Sequence, residues 1–238
     1  MRILAAVCVH DRVHLLERWL RAWPGMWPRP YTLLVVNPYD GGPHPGVAAA
    51  VKRWDHKDVI LLNRPNQGQD IGSFRAIVGL QSLPFDVLCW FSDDCLPMRW
   101  DCFHNFMAPF NDPSAGLVSF AYEPPSPTNL HAHARTVAFS VRQDVARRFR
   151  WPDRLDTCVG ADRAPCFAFE HGPDNMYRQV LEQGYRAVSA VGAPPFEEGY
   201  AHWSNNADFM WDCGHQPEKK LWDEFDRVHN KIVLGGVV

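Results

Sequence analysis

Residues 85–97 read FDVLCWFSDDCLP, an apolar run that ends in two adjacent carboxylates, Asp93 and Asp94. The apolar part, 86–91, predicts a strand buried on both faces, which is typical of a parallel sheet covered on two sides. Two like charges at the end of such a strand are costly unless a cation or hydrogen-bond donors offset them. A divalent ion with carboxylate ligands and open positions for phosphate oxygens would do so. A solvated turn that caps the next helix is the alternative interpretation.

Apolar runs and helical patterns alternate on the N-terminal side of this stretch. Runs at 3–9, 31–36 and 59–62 predict three more strands, and apolar residues recur at helical spacing between the runs. Strands that alternate with helices in this way predict an α/β, Rossmann-like three-layer fold with a mostly parallel central sheet.

The C-terminal half is less regular but continues the same architecture. No linker separates it from the first half, so we expect a single domain over residues 1–238. The predicted elements are strands at 116–121, 136–141 and 187–191, a loop over 151–166, a helix at 174–183 that ends at Gly184, and an amphipathic helix at 218–228.

Composition excludes several classes of protein. The chain has 238 residues, a net charge of −3, 13% aromatic residues and seven cysteines. Such an aromatic content argues against disorder, and the mild acidity argues against a protein held on duplex DNA by phosphate contacts. An odd number of cysteines without a CxxC pair argues against a disulfide framework. With no apolar run long enough to span a membrane and no signal-peptide pattern, we expect a cytoplasmic protein.

Polar and ionisable residues follow all four predicted N-terminal strands. Because the carboxyl ends of parallel strands meet at one edge of the sheet, these residues predict a ligand crevice at that edge. They are His10, Asp11 and Arg12 after the first strand, Asn37 and Asp40 after the second, the segment NQGQDIG at 66–72 with Asp70 after the third, and Ser92, Asp93 and Asp94 after the fourth.

Taken in order, these motifs resemble those of the glycosyltransferase A-fold nucleotide-sugar transferases, of the family-2-like and rhamnan-synthesis types. The resemblance covers roughly residues 1–205. Residues 92–94, Ser-Asp-Asp, are similar to the DxD-type metal motif, and residues 9–12 and 35–37 are similar to the ends of the first two strands, with Asn37 where Asp is usual. Residues 66–72 resemble an Asn-x-Gly-x-Asp-Ile segment, and Asp174 followed by Gly-Tyr-Arg at 184–186 resembles the Glu-Asp…Gly-Tyr-Arg helix.

The resemblance implies a metal ion and a nucleotide-sugar donor in the first half of the chain. Asp94 is expected to bind Mn²⁺ or Mg²⁺ directly, and Asp93 is expected to contact the ribose or to reach the ion through water. A late histidine often completes the metal shell in such enzymes, which makes His202 a candidate ligand. The nucleotide-binding candidates by resemblance are His10, Asp11, Asn37, Asp70 and Asp93, whereas Arg12 and Arg75 are expected to be structural or phosphate partners.

The resemblance also implies a catalytic base in the second half. Asp174 corresponds to the base of inverting members, but Pro173 precedes it where Glu is usual, and its spacing to Gly184 differs by one residue from the common pattern. Glu170 is therefore the alternative base. Residues 1–98 are expected to bind the nucleotide sugar, and residues 99–238 are expected to carry the acceptor site and the base.

The function implied is a metal-dependent glycosyltransferase that moves a sugar from a nucleotide-diphosphate sugar to a hydroxyl acceptor with inversion. A UDP-sugar is the expected donor, and a glycan is the expected acceptor in preference to a hydroxylated nucleobase of a nucleic acid. A nucleotidyltransferase and a non-catalytic nucleotide- or glycan-binding module of the same fold are the alternatives. The chain lacks GxGxxG and GxxxxGK[ST], which argues against nicotinamide-dinucleotide and P-loop chemistry.

Overall fold

The computed structural model describes residues 1–97, 101–127, 130–158, 163–190 and the strand at 210–212. The strands are, in chain order, β1 (Ile3–Cys8), β2 (Thr32–Tyr39), β3 (Val59–Pro65), β4 (Val87–Ser92), β5 (Cys95–Pro97), β6 (Ala115–Ser119), β7 (Tyr122–Glu123), β8 (His133–Ala134), β9 (Ala138–Arg142), β10 (Arg186–Ser189) and β11 (Met210–Asp212). The α-helices are α1 (Val13–Ala22), α2 (Pro45–Trp54), α3 (Gln69–Val78), α4 (Cys102–Met107), α5 (Gln143–Ala146), α6 (Ala164–His171) and α7 (Met176–Glu182).

A seven-stranded sheet forms the centre, with strand order β10-β6-β9-β4-β1-β2-β3. Strands β1, β2, β3 and β4 pair in parallel, and β10 pairs in parallel with β6. Strand β9 lies between β4 and β6 and is antiparallel to both. The predicted mostly parallel sheet is therefore confirmed. Two short antiparallel pairs, β5 with β11 and β7 with β8, lie outside it.

Each face of the sheet is covered by helices, which gives the three layers. Along β1 the side chains alternate between two apolar clusters, with Ala5 and Val7 on one face and Leu4 and Ala6 on the other. Helices α1, α2 and α4 cover the first face, and α3, α5, α6 and α7 cover the second. Because β1 is apolar on both faces, burial favours a position inside the sheet rather than at an edge, and β1 lies between β4 and β2.

The second half of the chain contains short elements that the sequence pattern does not predict, among them two helices. Helix α6 begins at Ala164, inside the predicted loop 151–166, and α4 corresponds to no predicted element. Both are short, at eight and six residues, so neither shows enough turns for its helical period to be recognised. The predicted helix at 218–228 lies outside the described residues.

Helix α7 was predicted from its period and its ends. Its N-cap is Asn175, whose Oδ1 accepts a hydrogen bond from the Arg178 amide at 3.0 Å. Gly184 has φ +81°, the left-handed conformation that a glycine adopts after a helix. The predicted terminating glycine is therefore confirmed.

Six of the seven cysteines lie in the described residues, and all six are buried without a disulfide between them. Within the same residues, no helix has both the length and the apolar character needed to cross a membrane.

The segment that joins β3 to α3 depends on two glycines. Gly68 has φ +74°, and its carbonyl accepts a 2.6 Å hydrogen bond from the Gly72 amide. A Cβ on Gly72 would lie 2.0 Å from the Gln67 carbonyl oxygen, which is backbone and cannot swing aside. Close packing of this turn against the first residues of α3 therefore requires glycine at position 72.

We predict that Gly72→Ala destabilises the protein by about 1–3 kcal/mol, since the new methyl group must push backbone apart. Gly79→Ala is the matched control at the other end of α3, because a Cβ there meets nothing closer than 3.5 Å and φ is −79°. The control is expected to change stability by less than about 1 kcal/mol. Urea unfolding of both variants measures the difference, and equal stabilities would contradict the close approach at Gly72.

Candidate functional site

A polar cavity lies at the carboxyl ends of β1 to β4. It has a volume of about 360 Å³, within the usual range for small-molecule sites. Parallel pairing brings the ends of these four strands to the same edge of the sheet, where ligands of such folds gather. The lining residues are Cys8, His10, Asp11, Arg12, Pro38, Asp40, Asn66, Gln69, Asp70, Ser92, Asp93 and Arg163.

The acidic pair after β4 lies against the end of β1. The Asp93 amide donates a hydrogen bond to the Cys8 carbonyl at 3.1 Å, and the Asp93 side chain is only 1% exposed. Burial raises the pKa of Asp93 to about 7 even though the Arg12 charge acts in the opposite direction. Asp93 Oδ2 is buried without a hydrogen-bond partner in the described residues. This carboxylate therefore lacks full compensation from the protein around it.

Arg12 contacts both carboxylates of the pair. Its two terminal nitrogens lie 2.6 Å from Asp93 Oδ1 and 3.0 Å from Asp94 Oδ2. Arg12 follows β1 and precedes α1, and its guanidinium forms part of the cavity wall. Among the described residues, the positive charge in contact with both Asp93 and Asp94 is therefore the guanidinium of Arg12.

The carboxylates of Asp93 and Asp94 are suitable ligands for a divalent ion whose other ligands come from a phosphate group and water. The carboxylate oxygens of Asp93 and Asp94 lie at the edge of the cavity. One of them, Asp93 Oδ2, is buried without a hydrogen-bond partner in the described residues. No group of three or more histidine, cysteine or acidic side chains positioned for a metal occurs in the described part of the chain. Ions such as Mg²⁺ are commonly held by one or two carboxylates, with substrate phosphates and water completing the shell. The residues present match that pattern.

On the opposite wall, polar contacts join the ends of β1, β2 and β3. Asp40 Oδ2 lies 3.2 Å from His10 Nε2 and accepts a hydrogen bond from Asn66 Nδ2 at 3.0 Å. The hydrogen bond from Asn66 lowers the pKa of Asp40, and His10 adds to the effect. An ionised acceptor at Asp40 therefore faces the cavity beside two side chains that can donate or accept hydrogen bonds.

Asn37 does not line the cavity. Its side chain is fully buried, and its Nδ2 donates to the carbonyls of Val9 and His10 at 2.8 and 2.9 Å. Its Oδ1 accepts from the His44 amide at 3.0 Å. Asn37 therefore ties the end of β2 to the end of β1 and to the start of α2, and it supports the cavity from behind.

Asp70 forms part of the cavity wall at the first turn of α3. Burial, reinforced by the nearby charge of Glu170, raises the pKa of Asp70 to about 6. The preceding residue, Gln69, also lines the cavity and has φ +51°, which is uncommon for a residue with a Cβ. The first turn of α3 thus combines strained backbone at Gln69 with the raised pKa of Asp70 at the same wall.

Glu170, the alternative base, is buried just behind this wall. Its Oε1 lies 2.9 Å from Arg135 Nε in an ion pair and accepts a hydrogen bond from the Thr136 amide at 3.2 Å, and its Oε2 lies 3.3 Å from His171 Nε2. Burial alone would raise the pKa of Glu170, but the hydrogen bond from His171 and the charge of Arg135 outweigh burial and leave it below its ordinary value. Glu170 is therefore an ionised carboxylate within electrostatic reach of Asp70.

Asp174 lies elsewhere. It is half exposed, and both of its carboxylate oxygens accept from Arg150, whose guanidinium also contacts Glu182. It does not line the cavity. The structure thus brings together His10, Asp11, Asp70 and Asp93 in the cavity wall with Asp94 beside them, and it leaves Asp174 apart. His202 lies outside the described residues.

Several cavity residues were not among the sequence-based candidates. Arg12, Asp40 and Asn66 follow the predicted strands and belong to the predicted crevice, where the structure places them. The resemblance assigns no nucleotide-binding or metal-binding role to Asp40 or Asn66, and it gives Arg12 only a structural or phosphate-binding one. Arg163 has no comparable signal in the sequence, because it enters the cavity from the irregular second half.

The fold of the chain is the glycosyltransferase A fold, as solved structures show. A mannosyltransferase from Pyrobaculum calidifontis, in complex with GDP-Man and Mn²⁺, superposes with a TM-score of 0.56 at 19% identity over 82% of this chain and 55% of its own. Glucosyl-3-phosphoglycerate synthase from Mycobacterium tuberculosis, in complex with Mn²⁺, UDP-glucose and phosphoglyceric acid, superposes with a TM-score of 0.53 at 8% identity over 79% of this chain and 70% of its own.

A complex of the same synthase with Mg²⁺ and UDP gives a TM-score of 0.50 at 9% identity. The present chain spans about half the length, 55%, of the mannosyltransferase chain. No protein-family model matches the sequence, and no curated protein matches it. The likeness therefore establishes the fold, and the site must be argued from its own residues.

The raised pKa of Asp70 gives a pH-dependent stability. A carboxyl with a folded-state pKa near 6, above its ordinary 3.8, stabilises the fold when protonated, and this contribution is lost as pH rises through 6. We predict that Asp70→Asn is more stable than the wild type at pH 7.5, by up to about 3 kcal/mol, and that the gain shrinks towards pH 4.

Thermal unfolding at both pH values measures this gain. Asp153→Asn, which removes one negative charge from an exposed loop position, is the matched control. A gain for Asp70→Asn that is independent of pH, or equal to that of the control, would contradict the raised pKa of Asp70.

Proposed function

We propose that the chain is a metal-dependent glycosyltransferase that moves a sugar from a nucleotide-diphosphate sugar to a hydroxyl acceptor with inversion. The observation that carries the proposal is a buried carboxylate, Asp93, paired with Asp94 at the end of β4, inside a polar cavity of a glycosyltransferase A fold. The mannosyltransferase complex and the first of the two synthase complexes described above contain Mn²⁺ with a nucleotide sugar. Fold and acidic pair together favour this function over the alternatives.

Asp93 and Asp94 would hold Mn²⁺ or Mg²⁺ in this proposal, with Asp94 as the direct ligand and His202 as a further candidate. Such an ion, when bound, supplies Lewis-acid stabilisation of the negative charge that develops on the departing diphosphate. The protein contributes the position of the two carboxylates, which are fixed by the pairing of β4 with β1.

The remaining cavity walls would bind the nucleotide. The ionised Asp40, oriented by His10 and Asn66, is placed to accept hydrogen bonds from ribose hydroxyls or from a base N–H. Asp11 and Asp70 supply further acceptors on the cavity wall, and Asn37 holds the loop behind them. We propose a UDP-sugar as donor and residues 1–98 as the half that binds it.

Glu170 is the better candidate for the general base. It is buried and ionised, and its charge reaches Asp70 in the cavity wall. Asp174 instead faces Arg150 at the surface. A base must reach the acceptor hydroxyl within hydrogen-bond distance, so one of the present donors to Glu170 would have to yield its place to that hydroxyl. The residues around Glu170, within the 99–238 half, would then form the acceptor side.

A glycan hydroxyl is the proposed acceptor. The net charge of −3 gives no electrostatic attraction to nucleic acid, which argues against a hydroxylated nucleobase in a polynucleotide. Sugar hydroxyls require only short-range hydrogen bonds, which the polar cavity edge offers.

We predict that the protein releases a nucleoside diphosphate from at least one member of a panel of UDP-, GDP- and TDP-sugars when Mn²⁺ is present. Asp94→Asn is expected to reduce this release by about 100-fold or more, because several kcal/mol of charge stabilisation are lost. Asp112→Asn, an exposed aspartate paired with Arg186 at the far side of the sheet, is the matched control. Release of pyrophosphate would instead indicate a nucleotidyltransferase, and binding without turnover would indicate a non-catalytic module.

The choice of base is tested by a pair of variants. Glu170→Gln is expected to lower donor hydrolysis or transfer by about 100-fold, the usual effect of losing a general base, while UDP–Mn²⁺ binding measured by calorimetry stays within a few-fold of wild type. Asp174→Asn is expected to keep both properties. Melting temperatures of both variants control for folding, since each loses an arginine partner. The opposite pattern, with Asp174→Asn inactive, would reassign the base.

A further inference from the structure

Arg12 occupies the position between the two carboxylates that a cation must fill. Its two terminal nitrogens contact different carboxylates, at 2.6 Å to Asp93 and 3.0 Å to Asp94. Asp93 is 1% exposed and Asp94 18%, whereas Arg12 is 44% exposed and borders the cavity. The acids are therefore held in place by the fold, and the arginine reaches them from the open side.

Charge repulsion prevents Arg12 and a divalent ion from binding the two carboxylates at the same time. A guanidinium keeps its charge at any pH at which the protein is folded, so Arg12 cannot become neutral to make room for another cation. A divalent ion on the same carboxylates would lie next to that positive charge and be repelled by it. Ion and guanidinium thus compete for Asp93 and Asp94, and one must leave when the other binds.

The displaced guanidinium has an obvious new partner within the cavity. Arginine binds phosphate through two parallel hydrogen bonds, a geometry as favourable as its contact with carboxylates. A nucleotide diphosphate bound at the edge of the sheet would bring such oxygens to the cavity that Arg12 already lines. Metal and nucleotide together can therefore replace the contacts of Arg12 to Asp93 and Asp94, whereas the metal alone displaces these contacts and supplies no anion in their place.

We propose that Arg12 is an internal cation that holds the acidic pair until a metal–nucleotide complex arrives, and that it then moves from the carboxylates to the diphosphate. This inference rests on the proposed function, and it adds a reason why binding of the metal ion depends on the nucleotide. The metal alone binds weakly, and the nucleotide strengthens its binding. By linkage, the metal strengthens nucleotide binding by the same factor.

The test is calorimetric titration of the full chain with Mn²⁺ alone, and with Mn²⁺ in the presence of saturating UDP. For the wild type, UDP is expected to tighten Mn²⁺ binding by at least about fivefold, the lower end of typical coupling. Arg12→Gln is expected to bind Mn²⁺ alone at least about fivefold more tightly than wild type and to lose most of the gain from UDP. Arg53→Gln removes the same charge from α2, where Arg53 pairs with Glu17, and is expected to match wild type.

Stability gives a second readout that does not depend on activity. Arg12→Gln leaves the buried Asp93 without its cation, so its melting temperature is expected to fall and to be restored by Mn²⁺ more than that of wild type. Arg12→Lys keeps the charge but cannot bridge two carboxylates, so it guards against a Gln variant that fails to fold. This variant is expected to bind Mn²⁺ alone more tightly than wild type, by a smaller factor than Arg12→Gln.

The two proposals fail differently. If wild type binds Mn²⁺ with UDP, but the Arg12 variants bind Mn²⁺ alone no more tightly than wild type, the role of Arg12 is overturned and the proposed function stands. If neither wild type nor any Arg12 variant binds Mn²⁺ or UDP in any combination, the proposed function itself is overturned.

Discussion

Parallel pairing of β1 with β4 is the constraint on which the site depends. The register places Cys8 opposite Ser92, so the residues that follow these two strands emerge side by side at the centre of the sheet. Asp93 is consequently buried against the end of β1, and Arg12 meets it from the start of α1. A shift of one residue in this register would exchange the faces of an entire strand and would disrupt the packing of the apolar clusters on both sides.

The first half of the fold could be predicted because its strands are apolar on both faces and short turns follow them. Such strands belong to a sheet that is covered on both faces, and the carboxyl-end rule then places His10, Asp70 and Asp93 together. The cavity contains all three. Strand direction in the second half was not predictable in the same way, because an apolar run carries no mark of orientation, and β9 is antiparallel to both its neighbours.

The hydrogen-bond partners of individual side chains could not be predicted. These partners determine whether a residue lines the cavity or only holds the surrounding backbone in place. Asn37 stands at a strand end like His10, yet its amide is fully used by backbone groups. Asp174 belongs to a recognisable helix motif, yet it faces Arg150 at the surface. Such outcomes depend on which donors other parts of the chain bring within about 3 Å, and hydrogen-bond reach is a tertiary property that spacing does not encode.

In each half of the site, an arginine contacts a buried carboxylate. Asp93 is held by Arg12, and Glu170 is held by Arg135, which also contacts Glu123. A buried carboxylate without a cation would cost several kcal/mol, so each arginine stabilises the protein when no ligand is present. In the proposed reaction, each carboxylate acts only after a ligand group replaces its arginine, or one of its other donors. Under this proposal, the two arginines stabilise the protein without ligands, and its acidic groups become available only when donor and acceptor bind.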